Sequence, residues 1–160
     1  MPDTLTITGE IACPCELAAI DLAQLPVAAQ ITDVATLDPK RSGQAVRLAA
    51  VLDAVGVKPT ARWLSLHAST DDFHASIPLD AVRERAVVIY RQNGEPLSPK
   101  AGGPFRFFIP DFAACHTHEI DECANVKFVD RMELTAERGY DNRPHDAAEH
   151  AELHRKEREE

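Results

Sequence analysis

The chain has 160 residues, of which 44% are hydrophobic and 27% charged, with four cysteines and a net charge of −9. This is the size and composition of one soluble globular domain with a real core. The acidic balance argues against a nucleic-acid surface, which needs clustered Lys and Arg, and equally against docking on anionic membrane. No apolar run approaches the roughly 20 residues of a membrane-spanning helix.

Residues 1–10 carry neither a basic n-region nor an apolar h-region, so no signal peptide is expected and the expected location is cytoplasmic. In that compartment the cysteines read as thiols, metal ligands or core residues rather than structural disulfides. Residues 5–11, LTITGEI, alternate apolar and polar and predict a strand. A short helix is predicted from Leu17 to Leu25, stopped by Pro26. Residues 27–37 read as a strand and Asp38, Pro39 and Lys40 as a turn. Apolar residues at 48, 51, 52 and 55 predict a helix from Val46 to Val55, ended by Gly56. Strands are predicted at Ala61–His67, with Trp63 in the core, and at Phe73–Pro78. A helical turn over 79–85 and a strand over 86–91 follow. Residues 92–104 form a loop, 105–109 a strand, 110–125 an irregular stretch and 126–134 the last strand. Strands interrupted by short, unequal helices do not make a doubly wound sheet. The expectation is an α+β (mixed α/β) domain over 1–140, with a mixed sheet and short helices.

The tail, 141–160, is almost wholly polar. It reads as a charged helical or disordered segment, with Leu153 its single large apolar residue, and as a surface for a protein partner or a second copy of the chain. His150 and His154 are four apart and would share a helix face. Neither a Ser-His-Asp arrangement nor a phosphate-binding glycine motif nor a helical H-E-x-x-H occurs.

Five segments, in order, resemble one family. TITGEIACPCELAAIDLAQLP is similar to an opening with the pattern L-x-x-x-D-L-x-x-L-P, and AVRLAAVLDAVGVKP to a V-x-L-x-x-L-L-x-x-A-G-V helix. LHASTDDFHASIPLD resembles an H-x-x-D-x-Y-x-x-x-L-P-L hairpin. YRQNGEPLSPKAGGPFRFFIPD resembles the most specific signature, N-G-E-P-L with a following G-G-P-h-R-h-h-V-P, where h is apolar. NVKFVDRMELT is similar to an S-V-K-W closing strand. Together these resemble the oxidoreductase molybdopterin-binding domain of the sulfite oxidase family. The resemblance implies that family's fold. It also implies that Arg106, Lys127 and His67 are candidate cofactor-binding residues. Arg106 would stand beside an anionic ligand or pair with a carboxylate. Lys127 would face the pterin pocket or be a solvated edge charge. His67 and His74 flank a hairpin and also read as ordinary hairpin residues, with Asp71 and Asp72 serving its turn.

The chain departs from the pattern at one position. Enzymes of the family hold molybdenum with a cysteine thiolate between the first helix and the V-x-L helix. The corresponding interval, VAAQITDVATLDPKRSGQAVRL, has no cysteine, and none occurs between Glu16 and Ala114. Instead the cysteines form two clusters, Cys13-Pro14-Cys15 and Cys115-His116-Thr117-His118 followed by Cys123. Cys13, Cys15, Cys115, His116, His118 and Cys123 are the ligand types that suit zinc or iron. Buried thiols and a disulfide or redox pair are the alternative readings. Antiparallel pairing of strand 5–11 with strand 126–134 would bring the two clusters to one sheet end. The expectation is therefore a molybdopterin-oxidoreductase-like binding domain with a Cys/His metal or thiol site and without independent molybdenum turnover. The alternatives are an active molybdopterin-dependent oxidoreductase that takes its thiolate from Cys115 or Cys123, and an interaction module with buried thiols.

Overall fold

The computed structural model describes residues 4–110 and 125–143. In chain order the elements are β1 (Thr4–Gly9), β2 (Cys15–Ala18), α1 (Ala19–Ala23), β3 (Gln30–Ile31), β4 (Gln44–Arg47) and α2 (Leu48–Val55). They continue with β5 (Trp63–Ala68), β6 (Phe73–Pro78), α3 (Leu79–Val82), β7 (Val87–Gln92), β8 (Glu95–Pro96), β9 (Arg106–Phe108) and β10 (Arg131–Thr135). The first sheet runs β2-β1-β10-β5-β6 and the second β3-β4-β7-β8, with β9 also paired to β7. Strands outnumber three short helices, and the first sheet is mixed, as expected of an α+β domain.

Burial explains the arrangement. Leu5, Ile7, Leu64, Leu66, Ile77, Met132 and Leu134 turn one face of the first sheet into the main core. Leu48, Val51, Leu52 and Val55 close that core from α2. The second sheet is covered on both sides. Along β7, Val88 and Tyr90 enter the main core, while Val87 and Ile89 enter a smaller one with Ile31, Val34, Leu97 and Phe108. A strand buried on both faces needs an unbroken apolar run, and Val87–Tyr90 supplies it.

Several boundaries move, each for a local reason. The predicted helix from Leu17 begins as β2, because residues 15–18 pair antiparallel with β1. α1 then starts at Ala19, with Asp21 accepting a hydrogen bond from the Ala18 amide at 2.8 Å. The predicted strand 27–37 is mostly two 3₁₀ turns, at 27–29 and 34–36. Asp33 caps the second by accepting from the Ala35 amide at 2.9 Å. The predicted helix Val46–Val55 loses its first two residues to β4, whose ladder with β7 outweighs the helical period. It ends at Gly56 with φ of 73°, as predicted. The last strand forms only from Arg131, because Phe128 sits at φ of 59° and its amide bonds the Gly102 carbonyl instead. Trp63 is half-buried rather than a core residue.

The pairing of first and last strands also differs from expectation. β1 and β10 run parallel, from Thr6 opposite Arg131 to Gly9 opposite Leu134. The end of β1 therefore lies beside the end of β10, not its start. This removes the geometric reason for placing Cys13 and Cys15 against Cys123. Residues 115–123, and the tail from 144 onward, lie outside the described residues.

Candidate functional site

The signature that ends in Arg106 builds a turn and aims a strand. Ser98 Oγ accepts from the Ala101 amide at 3.3 Å, and the Gly103 amide bonds the Ser98 carbonyl at 2.8 Å. Gly102 takes φ of 97°, and a Cβ there would lie 3.2 Å from Arg106 Cδ and 3.3 Å from Lys127 Cγ. A side chain at Gly103 would collide with the Leu97 carbonyl. The glycine pair thus lets the chain fold tightly enough to hold Arg106 and Lys127 on either side of Gly102.

Arg106 pairs opposite Ile89 and shares the face of Phe108, over the smaller core. Its Nη1 donates to the Ala101 carbonyl at 3.3 Å. Its Nε is buried and has no partner. Arg41, from the loop before β4, packs its guanidinium over the Phe108 ring at 5.3 Å, and its Nε is likewise buried and unpartnered. The two cations line one cavity of about 170 Å³ with Lys40, Ser42 and Gln92. Burial pushes the Arg106 guanidinium down to about 10, and the Arg41 charge adds to it. Among the described residues no carboxylate lines this cavity. Unpaired buried donors with excess positive charge are the electrostatic complement of an anion. The lining residues carry no imidazole, carboxyl or thiol. The cavity has the charge to bind and orient an anionic group, and among the described residues Lys40 is its one side chain of the usual acid–base kind.

A second recess of about 240 Å³ adjoins the first and shares Ser42 and Gln92 with it. Gln92 Nε2 donates to Ser42 Oγ at 2.7 Å across their boundary. Thr32, Asp33, Gln44 and Asn93 line it with hydroxyl, carboxylate and amide groups.

The sequence-derived site residues fall into separate places. Arg106 and Lys127 come together beside Gly102, with Lys127 exposed. His67 lies on the face of the first sheet turned away from the main core, bonded to His74 and Glu133. Cys13 is exposed and Cys15 half-buried. Burial pushes the Cys15 thiol up, helped by Cys13 and Asp21, so it is a weaker nucleophile than a free thiol. Among the described residues no group of three or more His, Cys, Asp or Glu is placed to hold a metal ion. Cys115, His116, His118 and Cys123 are outside them. Arg41 and Lys40 were not singled out from sequence. The one signal was the cationic pair Lys40-Arg41 at the end of a predicted turn, which reads as an ordinary solvated loop. Among the described residues no helix is long and apolar enough to cross a membrane.

Comparison with known proteins places this geometry. The family model of the oxidoreductase molybdopterin binding domain matches residues 3–142. The uncharacterized oxidoreductase YuiH of Bacillus subtilis (strain 168) is 37% identical over 68 residues, 42% of this chain and 34% of YuiH. The crystal structure of the sulfane dehydrogenase SoxCD from Paracoccus pantotrophus superposes with a TM-score of 0.62 at 22% identity, over 85% of this chain and 39% of that one. At this identity the likeness concerns the fold, which is the sulfite-oxidase-type molybdopterin-binding fold. The chain spans only about a third of YuiH and two fifths of the SoxCD chain. With the family model matched over residues 3–142, and in the fold of SoxCD, this chain belongs to the oxidoreductase molybdopterin binding domain family.

Proposed function

We propose that this chain binds the phosphate end of a molybdopterin-type cofactor in the Arg41–Arg106 cavity and does not turn over molybdenum by itself. The observation that carries the first half is the pair of buried, unpartnered guanidinium Nε atoms in a cavity that no carboxylate lines among the described residues. A guanidinium matches a phosphate with paired N–H donors, and an unsatisfied buried donor gains most from such a partner. Lys40 adds a third positive charge to the lining. The pterin would supply the dithiolene that carries a metal. This chain's residues would bind and orient its anionic end.

The metal end fits less well. The interval from which the family's enzymes bring a thiolate has no cysteine here. Its residues in the adjoining recess, Thr32, Asp33, Ser42 and Gln44, offer oxygen and amide groups only. This supports a binding module rather than a molybdenum enzyme. A Cys/His site for zinc or iron is the second component of the reading. It rests on the donor chemistry of Cys13, Cys15, Cys115, His116, His118 and Cys123.

Titration of the full chain with a metal-free, phosphate-bearing pterin tests the first half. Arg41→Ala and Arg106→Ala are each expected to weaken binding by roughly tenfold to a hundredfold, the loss of a charged hydrogen bond. Unchanged affinity in both variants would rule the cavity out as the anchor. Zinc and iron content of the same preparations, with and without Cys13→Ser and Cys15→Ser, tests the second component. Metal present in the wild type and lost in the variants is the expected result.

A further inference from the structure

The outer face of the first sheet carries a chain of side chains that the anion site does not use. His67 of β5 and His74 of β6 stand opposite each other in register, and their Nδ1 atoms are 2.8 Å apart. His67 Nε2 lies 3.1 Å from Glu133 Oε1, and His74 Nε2 lies 2.8 Å from Asp72 Oδ1. Arg131 reaches the same Glu133 oxygen at 3.4 Å. His67 is buried, at 8% exposure.

Counting protons defines the state of this network. An Nδ1–Nδ1 contact is a hydrogen bond only when one ring presents N–H and the other a lone pair. His67 bonds Glu133 best by donating from Nε2, which leaves its Nδ1 as the acceptor of a neutral ring. His74 then donates the one proton that lies between the two Nδ1 atoms. A second proton on His67 would set two N–H groups face to face and break the pair.

His74 is also where a strap is tied down. Residues 139–143 lie along β6, the edge strand of the first sheet. The Asn142 amide donates to the His74 carbonyl at 3.0 Å, and the His74 amide donates to Asn142 Oδ1 at 2.8 Å. The Gly139 amide donates to Ser76 Oγ at 2.8 Å, and the Ser76 amide to Asp141 Oδ2 at 2.9 Å. The Tyr140 ring meets the His74 ring edge-on, with centroids 5.0 Å apart. Such a cover protects a sheet edge from pairing with other chains.

We propose that the His67–His74 pair is an acid-sensitive catch: it holds residues 139–143 on the edge of β6 and releases them when His67 gains its second ring proton. The groups facing the pair are Glu133 and Arg131 from β10, Asp72 from the hairpin turn and Tyr140 from the strap, which also holds Asp141 and Arg143 and follows directly on Arg138. Glu133 favours a second proton on His67, and Arg131 opposes it. Burial holds His67 below its ordinary value, a shift that the hydrogen bond to Glu133 reduces without cancelling. A histidine lowered in the folded state stabilises the closed form above about pH 6.5, and that contribution fades as pH falls through the folded value. Burial pushes the Asp141 carboxyl up, but hydrogen bonds from Arg143 and from the Ser76 and Arg143 backbone hold it below the usual value. It stays ionised across this window, so its titration does not open the strap.

Amide hydrogen exchange on the full chain, at about pH 7.5 and about pH 5 and corrected for intrinsic rates, tests the catch. The Ser76 and Asn142 amides are expected to lose roughly tenfold or more of their protection at the lower pH, relative to amides of β5. His67→Gln keeps a donor for Glu133 and an acceptor for His74 but cannot gain a proton, so protection is expected to be equal at both pH values. Should that variant not fold, His74→Phe keeps a ring against Tyr140 and removes the pair, with the same expectation. Wild-type protection that does not change with pH overturns the proposal. So does a pH-dependent loss that persists in whichever variant folds.

Discussion

Arg106 and Arg143 are both largely removed from water, and they sit in opposite circumstances. Arg143 is 5% exposed and lies 2.7 Å from Asp141, whose side chain is 3% exposed. Removing it with Arg143→Met strands a buried carboxylate, a loss expected to cost about 3–5 kcal/mol in denaturant unfolding. Because Asp141 is held below its usual value, the stability it contributes is full above about pH 4 and is lost as pH falls further. Arg106 has an unpaired Nε and a cation beside it. Arg106→Met is therefore expected to leave the melting temperature unchanged or raise it while removing anion binding, the signature of a residue kept for a ligand. A fall in stability of about 2 kcal/mol or more would instead make Arg106 a structural residue. Arg106 and Lys127 were nominated as candidates because they stand in motifs with fixed turn chemistry. Arg41 was not, because its role depends on Phe108, 67 positions later in the chain, supporting its guanidinium.

Among the elements, those with one dominant local signal were read closely. The Phe73–Pro78 strand matches β6 residue for residue, and α2 ends at its predicted glycine. The region 27–37 was misread because Ile31, Thr32, Val34 and Thr36 favour a strand by type. The Asp33 cap and the burial of Val34 in the smaller core turn it into a 3₁₀ segment. The start of α2 shows the same contest. Val46 was counted into the helix, yet it and its neighbour Ala45 lie in β4, buried on opposite faces of the second sheet. Leu52 packs in the main core at full burial, so Leu52→Ala is expected to cost about 2–5 kcal/mol in chemical unfolding. A cost under about 1 kcal/mol would mean that α2 does not close the core as described. The parallel pairing of β1 with β10 could not be read locally, since strand direction is set by the long connections between them.

At the scale of the molecule, fold and chemistry separate. The ordered motifs made the family legible, because each encodes a turn, a strand or a helix end that the fold requires. What the chain does with that fold depends on fewer residues. It has a cavity lined by Lys40, Arg41 and Arg106 beside the N-G-E-P-L and G-G-P turns, and it has no cysteine from Glu16 to Ala114. It also spans about a third of YuiH and two fifths of the SoxCD chain, so the activities of such longer proteins do not follow from the shared domain. The central claim is that this chain anchors the cofactor's phosphate end without holding its metal. The direct measurement is the molybdenum-to-pterin ratio of the full chain, purified from cells that make the cofactor. Pterin bound at about one per chain with molybdenum far below that ratio is the predicted result, and stoichiometric molybdenum would contradict it.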